Sequence, residues 1–462
     1  MESYQTWFGE GPELSVLRIL GLFDRPADEK ALEALLKPPS IPGLTESLTD
    51  LSSTEWRTIL ARLRRARLLA GEDPHNRGQL DAHPLVREYF GEQLRGQQMG
   101  AWKECNRRLM RAVLYLTATR GLGAPGAGIC YERAEALCRS LNRPLLLYSA
   151  LSGQWRYSLM TDKLSSTMQI AKRIYSLAQE QDDSTLMIGA YRALAGTLYW
   201  SGDFESARQH AMCGVQIWRS GGVQPRVQDV SSPAVVCLYY VALSEWHLGE
   251  IASSDATMSE AISLAKALND MPSLALALWH AAYLAHYQRN LADVERLASD
   301  LIELSTRQNF AFFLAGGGVL RGWARAASGD TAEGLSWIED GMAGFWSAAG
   351  ISRPFLLALK AEALHLADRT SEALETIKEA EALVERSGAR YWFAELHRLR
   401  GAFLTAIGAD ETQIEASFCA AIRIAREHQS ISLEKRAEGT YAEYRRQKAS
   451  GLEGRGVRLP LY

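Results

Sequence analysis

Over residues 129–445 the hydrophobic and polar positions repeat one pattern: an apolar helix, a short turn at Gly or a polar residue, then a second helix with small residues on its inner face. The clearest copy sets Tyr191, Leu194, Ala195 and Leu198 before the turn Ser201, Gly202, Asp203 and Phe204, with Ala207 and Ala211 after it. With the turn residue as marker, copies fall at Asp162, Gly202, Gly249, Arg289, Gly329, Asp368 and Gly408, separated by 40, 47, 40, 40, 39 and 40 residues. The one longer gap coincides with a loop bearing Gly and Pro, Ser220 to Val230. This spacing predicts about seven helical hairpins, one stacked on the next.

Small residues recur where the two helices of a hairpin must cross. Ala195, Ala242, Ala282, Gly322, Ala361 and Gly401 take equivalent places in successive first helices, where a bulky side chain would force the pair apart. The first copy departs from this rule with Trp155, which fits an atypical end of an array, and a helix over Tyr131 to Leu141 is expected to cover that end.

The residues ahead of the array read differently. Helices are predicted over Glu13 to Phe23, Ala27 to Leu36 and Ser53 to Leu68, the last opened by the cap-like run Ser52, Ser53, Thr54 and Glu55. Residues 67–71 and 78–82 flank a polar turn and predict a short β-ribbon before a closing helix that starts at Pro84. Three helices, a ribbon and a closing helix describe a winged helix. Residues 120–128 hold four glycines and a proline, so a boundary is placed there. The expected organisation is a first domain over 1–110, a linker over 111–128, the hairpin array over 129–445, and a disordered tail over 446–462.

Charge and chemistry narrow the function. Lys and Arg (51) nearly balance Asp and Glu (54), leaving a net charge of −3 and no global attraction to nucleic acid or an acidic membrane. The six cysteines form no CxxC pair and are expected as small buried residues in a reducing compartment. The first residues lack the basic start and apolar core of a signal peptide, and the longest uncharged apolar stretches, near Val235 and Phe310, are about half a membrane span. The expected location is the cytoplasm. HExxH, GxSxG, a purposeful Cys–His pair and clustered carboxylates with metal spacing are all missing, so no enzyme activity, metal or cofactor is expected.

Phe204 after its turn, replaced by Leu164, Ile251 and Leu291 in other copies, together with the small crossing residues, resembles the tetratricopeptide repeat in a longer-period form. Residues 229–240, 322–330 and 394–401 are similar to the repeat region of large bacterial signalling ATPases, some fused to adenylate cyclase or kinase domains. Residues 11–25 and 80–90 resemble the winged-helix subdomain of STAND NTPases, relatives of the apoptosome and plant-resistance ATPases. The resemblance implies an all-α fold class, a right-handed α-solenoid of tetratricopeptide-like hairpins preceded by a small winged-helix domain. It also implies that His83, in the place of the family's Met-His-Asp-Leu histidine, senses nucleotide phosphates, although Ala82 precedes it and Pro84 follows. No GxxxxGK[ST] loop occurs, so the chain has no backbone cradle, lysine or magnesium-binding hydroxyl for ATP. It looks like the back part of such a protein without the nucleotide-binding domain.

Aromatic residues mark the candidate site. In tetratricopeptide hairpins the first helix lines the concave groove, and groove-facing positions here would include Tyr199, Trp200, Tyr239, Trp246, His247, Trp279, Tyr283, His286, Tyr287 and Trp323. Two readings stay open: a ligand groove, since aromatics give much contact area for little side-chain entropy, or rings that fill space between hairpins. Arg57, Arg62, Arg64, Arg65 and Arg67 likewise fit a solvated face, a protein contact or a DNA contact. The expected function is a non-enzymatic interaction and sensing module. It would bind a peptide, protein or small ligand and relay that state to an NTPase or signalling domain supplied elsewhere, such as a STAND-type ATPase or cyclase. The alternative is a DNA-binding regulator with the repeats as sensor; no membrane partner is expected.

Overall fold

A computed structural model describes residues 7–23, 26, 27, 29–72, 78–105, 108, 109, 127–140, 142–161, 164–221, 229–345, 350–450 and 459. The chain divides into two compact units, Met1–Tyr115 and Leu116–Tyr462. Among the described residues the protein is helical, with no named strand.

The first unit holds α1 (Pro12–Leu20), α2 (Glu29–Leu36), α3 (Ser53–Arg65) and α4 (Pro84–Gln97). Ser52 opens α3 with a full capping box, its side chain accepting from the Glu55 N–H while the Glu55 carboxylate accepts from the Ser52 N–H. Leu14, Leu17, Leu63, Phe90 and Leu94 form the core. At Gly21 and Gly91 the backbones meet so closely that a side chain on either would strike the other. Of the ribbon expected between residues 67–71 and 78–82, the described residues show one link, the Ala70 N–H donating to the Asp81 carbonyl at 2.9 Å. The antiparallel bridge runs instead from Leu80 to Ala27. Residues 73–77 of the expected turn lie outside the described residues.

The second unit opens with α5 (Ala127–Ser140), so Ala127 and Gly128 of the expected linker are helical; residues 111–126 lie outside the described residues. Seven hairpins follow among the described residues: α6 (Pro144–Thr161) with α7 (Leu164–Gln181), α8 (Ser184–Ser201) with α9 (Phe204–Arg219), α10 (Pro233–His247) with α11 (Ile251–Ala267), α12 (Met271–Tyr287) with α13 (Leu291–Gln308), α14 (Ala311–Ala327) with α15 (Thr331–Phe345), α16 (Arg353–Leu366) with α17 (Thr370–Ser387), and α18 (Phe393–Ala406) with α19 (Glu411–Glu427). A last helix, α20 (Ile431–Ala449), continues into the expected tail, and Leu459 is buried in the core. This is an all-α solenoid of tetratricopeptide-like hairpins.

The marker residues make the turns. Gly202, Gly249, Arg289, Gly329, Asp368 and Gly408 all have positive φ, the left-handed turn that ends a first helix; Asp162 lies outside the described residues. The crossing rule has a direct cause at Gly322, where a Cβ would come within 2.6 Å of the Gly334 carbonyl oxygen. Second helices bury one stripe: in α11 it is Ser254, Met258, Ala261 and Ala265, spaced for one helix face. First helices are buried over more of their surface, and in α10 every residue from Ala234 to His247 is inside. A first helix lining an open groove would keep one wet face, so this burial says the interior is filled.

Cys105, Cys138 and Cys237 are buried as expected, whereas Cys130 and Cys419 are exposed on their helices. No described helix is long and apolar enough to cross a membrane.

Candidate functional site

The ten aromatic and histidine residues expected in the groove are all inside, each at most 4 % exposed. The chain itself covers them. Later hairpins pack across the interior onto earlier ones: the Tyr391 N–H donates to the Trp200 carbonyl at 3.3 Å, and Tyr199 and Tyr287 share a hydroxyl contact at 3.3 Å. His247 Nδ1 meets Ser430 Oγ at 2.8 Å. The rings stack on one another, Phe204 on His247 with centroids 3.6 Å apart and Tyr287 on Trp392 at 4.4 Å. Seven of the ten, Tyr199, Trp246, His247, Tyr283, His286, Tyr287 and Trp323, thus fill space between hairpins instead of facing an open groove.

A buried ion network ties these hairpins together. Arg289 donates to Glu362 at 2.6 Å and to Glu395 at 2.8 Å, Arg398 donates to Glu395 at 2.8 Å, and Trp323 Nε1 donates to Glu362 at 3.1 Å. Arg436 adds a bond to Glu395 at 3.2 Å, a bond to the Tyr287 carbonyl, and a place over the Trp246 ring at 5.3 Å. Burial pushes the Glu362 carboxyl up, but the Arg289 guanidinium and His286 together more than offset this and hold it at about 2. Burial pulls His286 down to about 4, so it is neutral at pH 7.

The other three, Trp200, Tyr239 and Trp279, line a recess that the packing leaves unfilled. First helices of five successive hairpins, α6, α8, α10, α12 and α14, converge on it. Its walls are Trp155, Trp200, Tyr239, Tyr240, Trp279 and Phe312, and centres of water-sized molecules can occupy about 60 Å³ of it. That is the bulk of roughly four waters. Trp155, at the anomalous position of the first hairpin, is a wall of this recess; its indole N–H donates to Thr197 Oγ1 at 3.0 Å and its face carries the Arg192 guanidinium at 5.2 Å. Tyr239 stacks on His280 at 4.0 Å.

Two arginines that reading the sequence did not single out reach the same recess. Arg156 and Arg192 both pair with Asp229, Arg192 at 2.8 Å, and Ser152 Oγ lies among them, 3.2 Å from Asp229. Burial pushes the Asp229 carboxyl up; the two guanidiniums outweigh it and hold it at about 2. The available signal was Arg192 itself, a lone charge in the apolar run 184–201 with no carboxylate on its own helix. His83, in the first unit, is exposed and caps α4, its Nδ1 accepting from the Leu85 N–H at 3.3 Å.

No family profile matches the chain. An uncharacterised protein of Rhizobium meliloti (strain 1021) is 24% identical over 337 residues, 71% of this chain and 32% of that protein, so the chain spans about a third of the length of the curated relative it matches. Among solved structures, a STAND protein with a tetratricopeptide-repeat sensor from Pyrococcus horikoshii is 14% identical, with a TM-score of 0.45, over 98% of this chain and 65% of that one. A Rap protein complexed with competence and sporulation factor is 12% identical, TM-score 0.49, over 75% and 97% of the two chains. NprR in complex with its cognate peptide is 10% identical, TM-score 0.47, over 76% and 99%. At these identities the likeness concerns the helical fold alone.

Proposed function

We propose that the chain is a non-enzymatic sensing module that takes a ligand into the recess beneath Trp200, Tyr239 and Trp279. One observation carries this reading: where five first helices meet, an interior of rings packed on rings keeps an aromatic-walled space. A ligand there touches α6 through α14 at once, so its arrival would alter how successive hairpins lean on one another. The state so set is relayed to an NTPase or signalling domain supplied elsewhere, with the first unit, read as a winged helix, as the coupling element.

Native mass spectrometry after incubation with a small-molecule extract of cells tests the site. A discrete adduct is expected, and Leu276→Trp, which fills the recess from its half-buried rim, abolishes it. No adduct, or one that survives Leu276→Trp, overturns the assignment.

A second reading, DNA binding by the first unit, is favoured by the exposure of Arg57, Arg65 and Arg67 along and just after α3. Failure to bind duplex DNA at low salt removes it.

A further inference from the structure

The recess is walled by rings, yet its polar corner is out of electrical balance. Two guanidiniums face one carboxylate: among the described residues, Asp229 alone pairs with Arg156 and with Arg192. Their side chains are 5 % and 0 % exposed, so solvent does little to spread the surplus positive charge. Arg192 places one nitrogen on Asp229 and the other on Ser152 Oγ, while Arg156 reaches both partners through Nη1 alone. Among the described residues, the Nε atoms of both are buried without a hydrogen-bond acceptor. Both side chains border the open space.

Resting on the reading of the recess as a ligand site, we propose that it takes a small aromatic carboxylate, whose acid group completes the Arg156–Arg192–Asp229 cluster and whose ring lies against Trp200, Tyr239 and Trp279. Charge selects the acid. One carboxylate brings two guanidiniums and Asp229 to neutrality, whereas a phosphate dianion would overshoot it. Shape agrees, because a planar carboxylate matches the guanidinium fork. The walls select the rest of the molecule: the rings of Trp200, Tyr239 and Trp279 favour an aromatic group, and the space is too small for a folded peptide segment. His280 adds a preference. Its Nδ1 must carry hydrogen to donate to the Leu276 carbonyl at 2.8 Å, leaving Nε2 as an acceptor for a hydroxyl or N–H on the ring.

The test uses the full chain and calorimetric titration with phenylacetate, 4-hydroxyphenylacetate, phenylacetamide and phenyl phosphate. Both carboxylates are expected to saturate, the hydroxylated one more tightly, with the amide weaker by on the order of thirtyfold and phenyl phosphate weaker than either acid. In Arg156→Met the preference of acid over amide is expected to vanish. Without ligand this variant should melt no lower than the parent, since Asp229 then faces a single guanidinium. Equal affinity for phenylacetate and its amide, or a preference for phenyl phosphate, sinks the carboxylate while leaving the recess as a site. Arg156→Met melting well below the parent with the acid preference intact would make Arg156 a structural residue and overturn the proposal. If no probe saturates while an extract adduct sensitive to Leu276→Trp persists, the ligand class is wrong and the site stands.

Discussion

The two buried charge clusters of the solenoid hold the same imbalance and dispose of it differently. Arg289, Arg398 and Arg436 face Glu362 and Glu395, while Arg156 and Arg192 face Asp229. Each carries one more guanidinium than carboxylate among these partners. In the first cluster the extra cation, Arg436, keeps 17 % of its side chain exposed, donates to a backbone carbonyl and lies over two indole rings. In the second, Arg192 lies over the Trp155 ring, but among the described residues neither arginine reaches a backbone carbonyl or solvent, and an open space lies beside the pair. A surplus charge alone is therefore no sign of a ligand; a surplus charge next to unfilled volume is.

The comparison can be broken most forcefully with acid. Burial holds His280, beside the recess, His286, on the same helix, and His397, on α18, at about 4, well below the ordinary 6.5. The unfolded chain therefore binds more protons between these values. The stability each contributes is present above pH 6.5 and is lost as pH falls through 4, at on the order of one kcal/mol per pH unit per histidine. Asp229 and Glu362, both at about 2, stay ionised through this window. Urea melts at pH 7.5 and pH 4.5 are expected to show a large loss; equal stability at both would count against a sealed interior around these rings.

Next in size is Arg289→Met. It leaves Glu362 without its principal cation and Glu395 short of one, which should cost about 3–5 kcal/mol in urea unfolding. The contrast with Arg156→Met, expected to cost nothing, is the sharpest form of the comparison. Volume gives a smaller effect. Gly322→Leu drives a side chain into the Gly334 carbonyl and should destabilise by about 3 kcal/mol, whereas Leu276→Phe, at the rim of the recess, should cost less than about 1 kcal/mol. If both substitutions cost the same by thermal melting, the recess is not spare room. Smallest is Arg296→Ala, which removes an exposed pair with Asp293 and should change stability by less than about 0.5 kcal/mol.

Most of the repeat architecture was legible because it is local. Helix period, hairpin spacing and the six described marker turns depend on neighbours within about one hairpin, and even Arg289, a poor candidate for positive φ by residue type, adopts it where the spacing says. The ribbon of the first unit was legible only in part, because Leu80 also pairs with Ala27, far upstream of the apparent hairpin. The aromatic residues were found, but their role was not. Whether Tyr287 lines a groove or fills a core is decided by Trp392 more than a hundred residues later, and no periodic signal reports that meeting. Asp229 was hidden for the same reason, since its arginines lie on two earlier helices.

The bond from Tyr391 to the Trp200 carbonyl has a consequence for how such a chain can change over generations. Ordinary arrays of this kind lengthen or shorten by whole modules, because each touches only its neighbours. Here a duplicated or deleted hairpin between α9 and α17 would slide every ring past its counterpart and leave Trp200, Tyr287 and Trp392 facing strangers. A change in module number would thus disrupt the interior as severely as the loss of any single ring, and the outer helices and the loops between them are where change costs least.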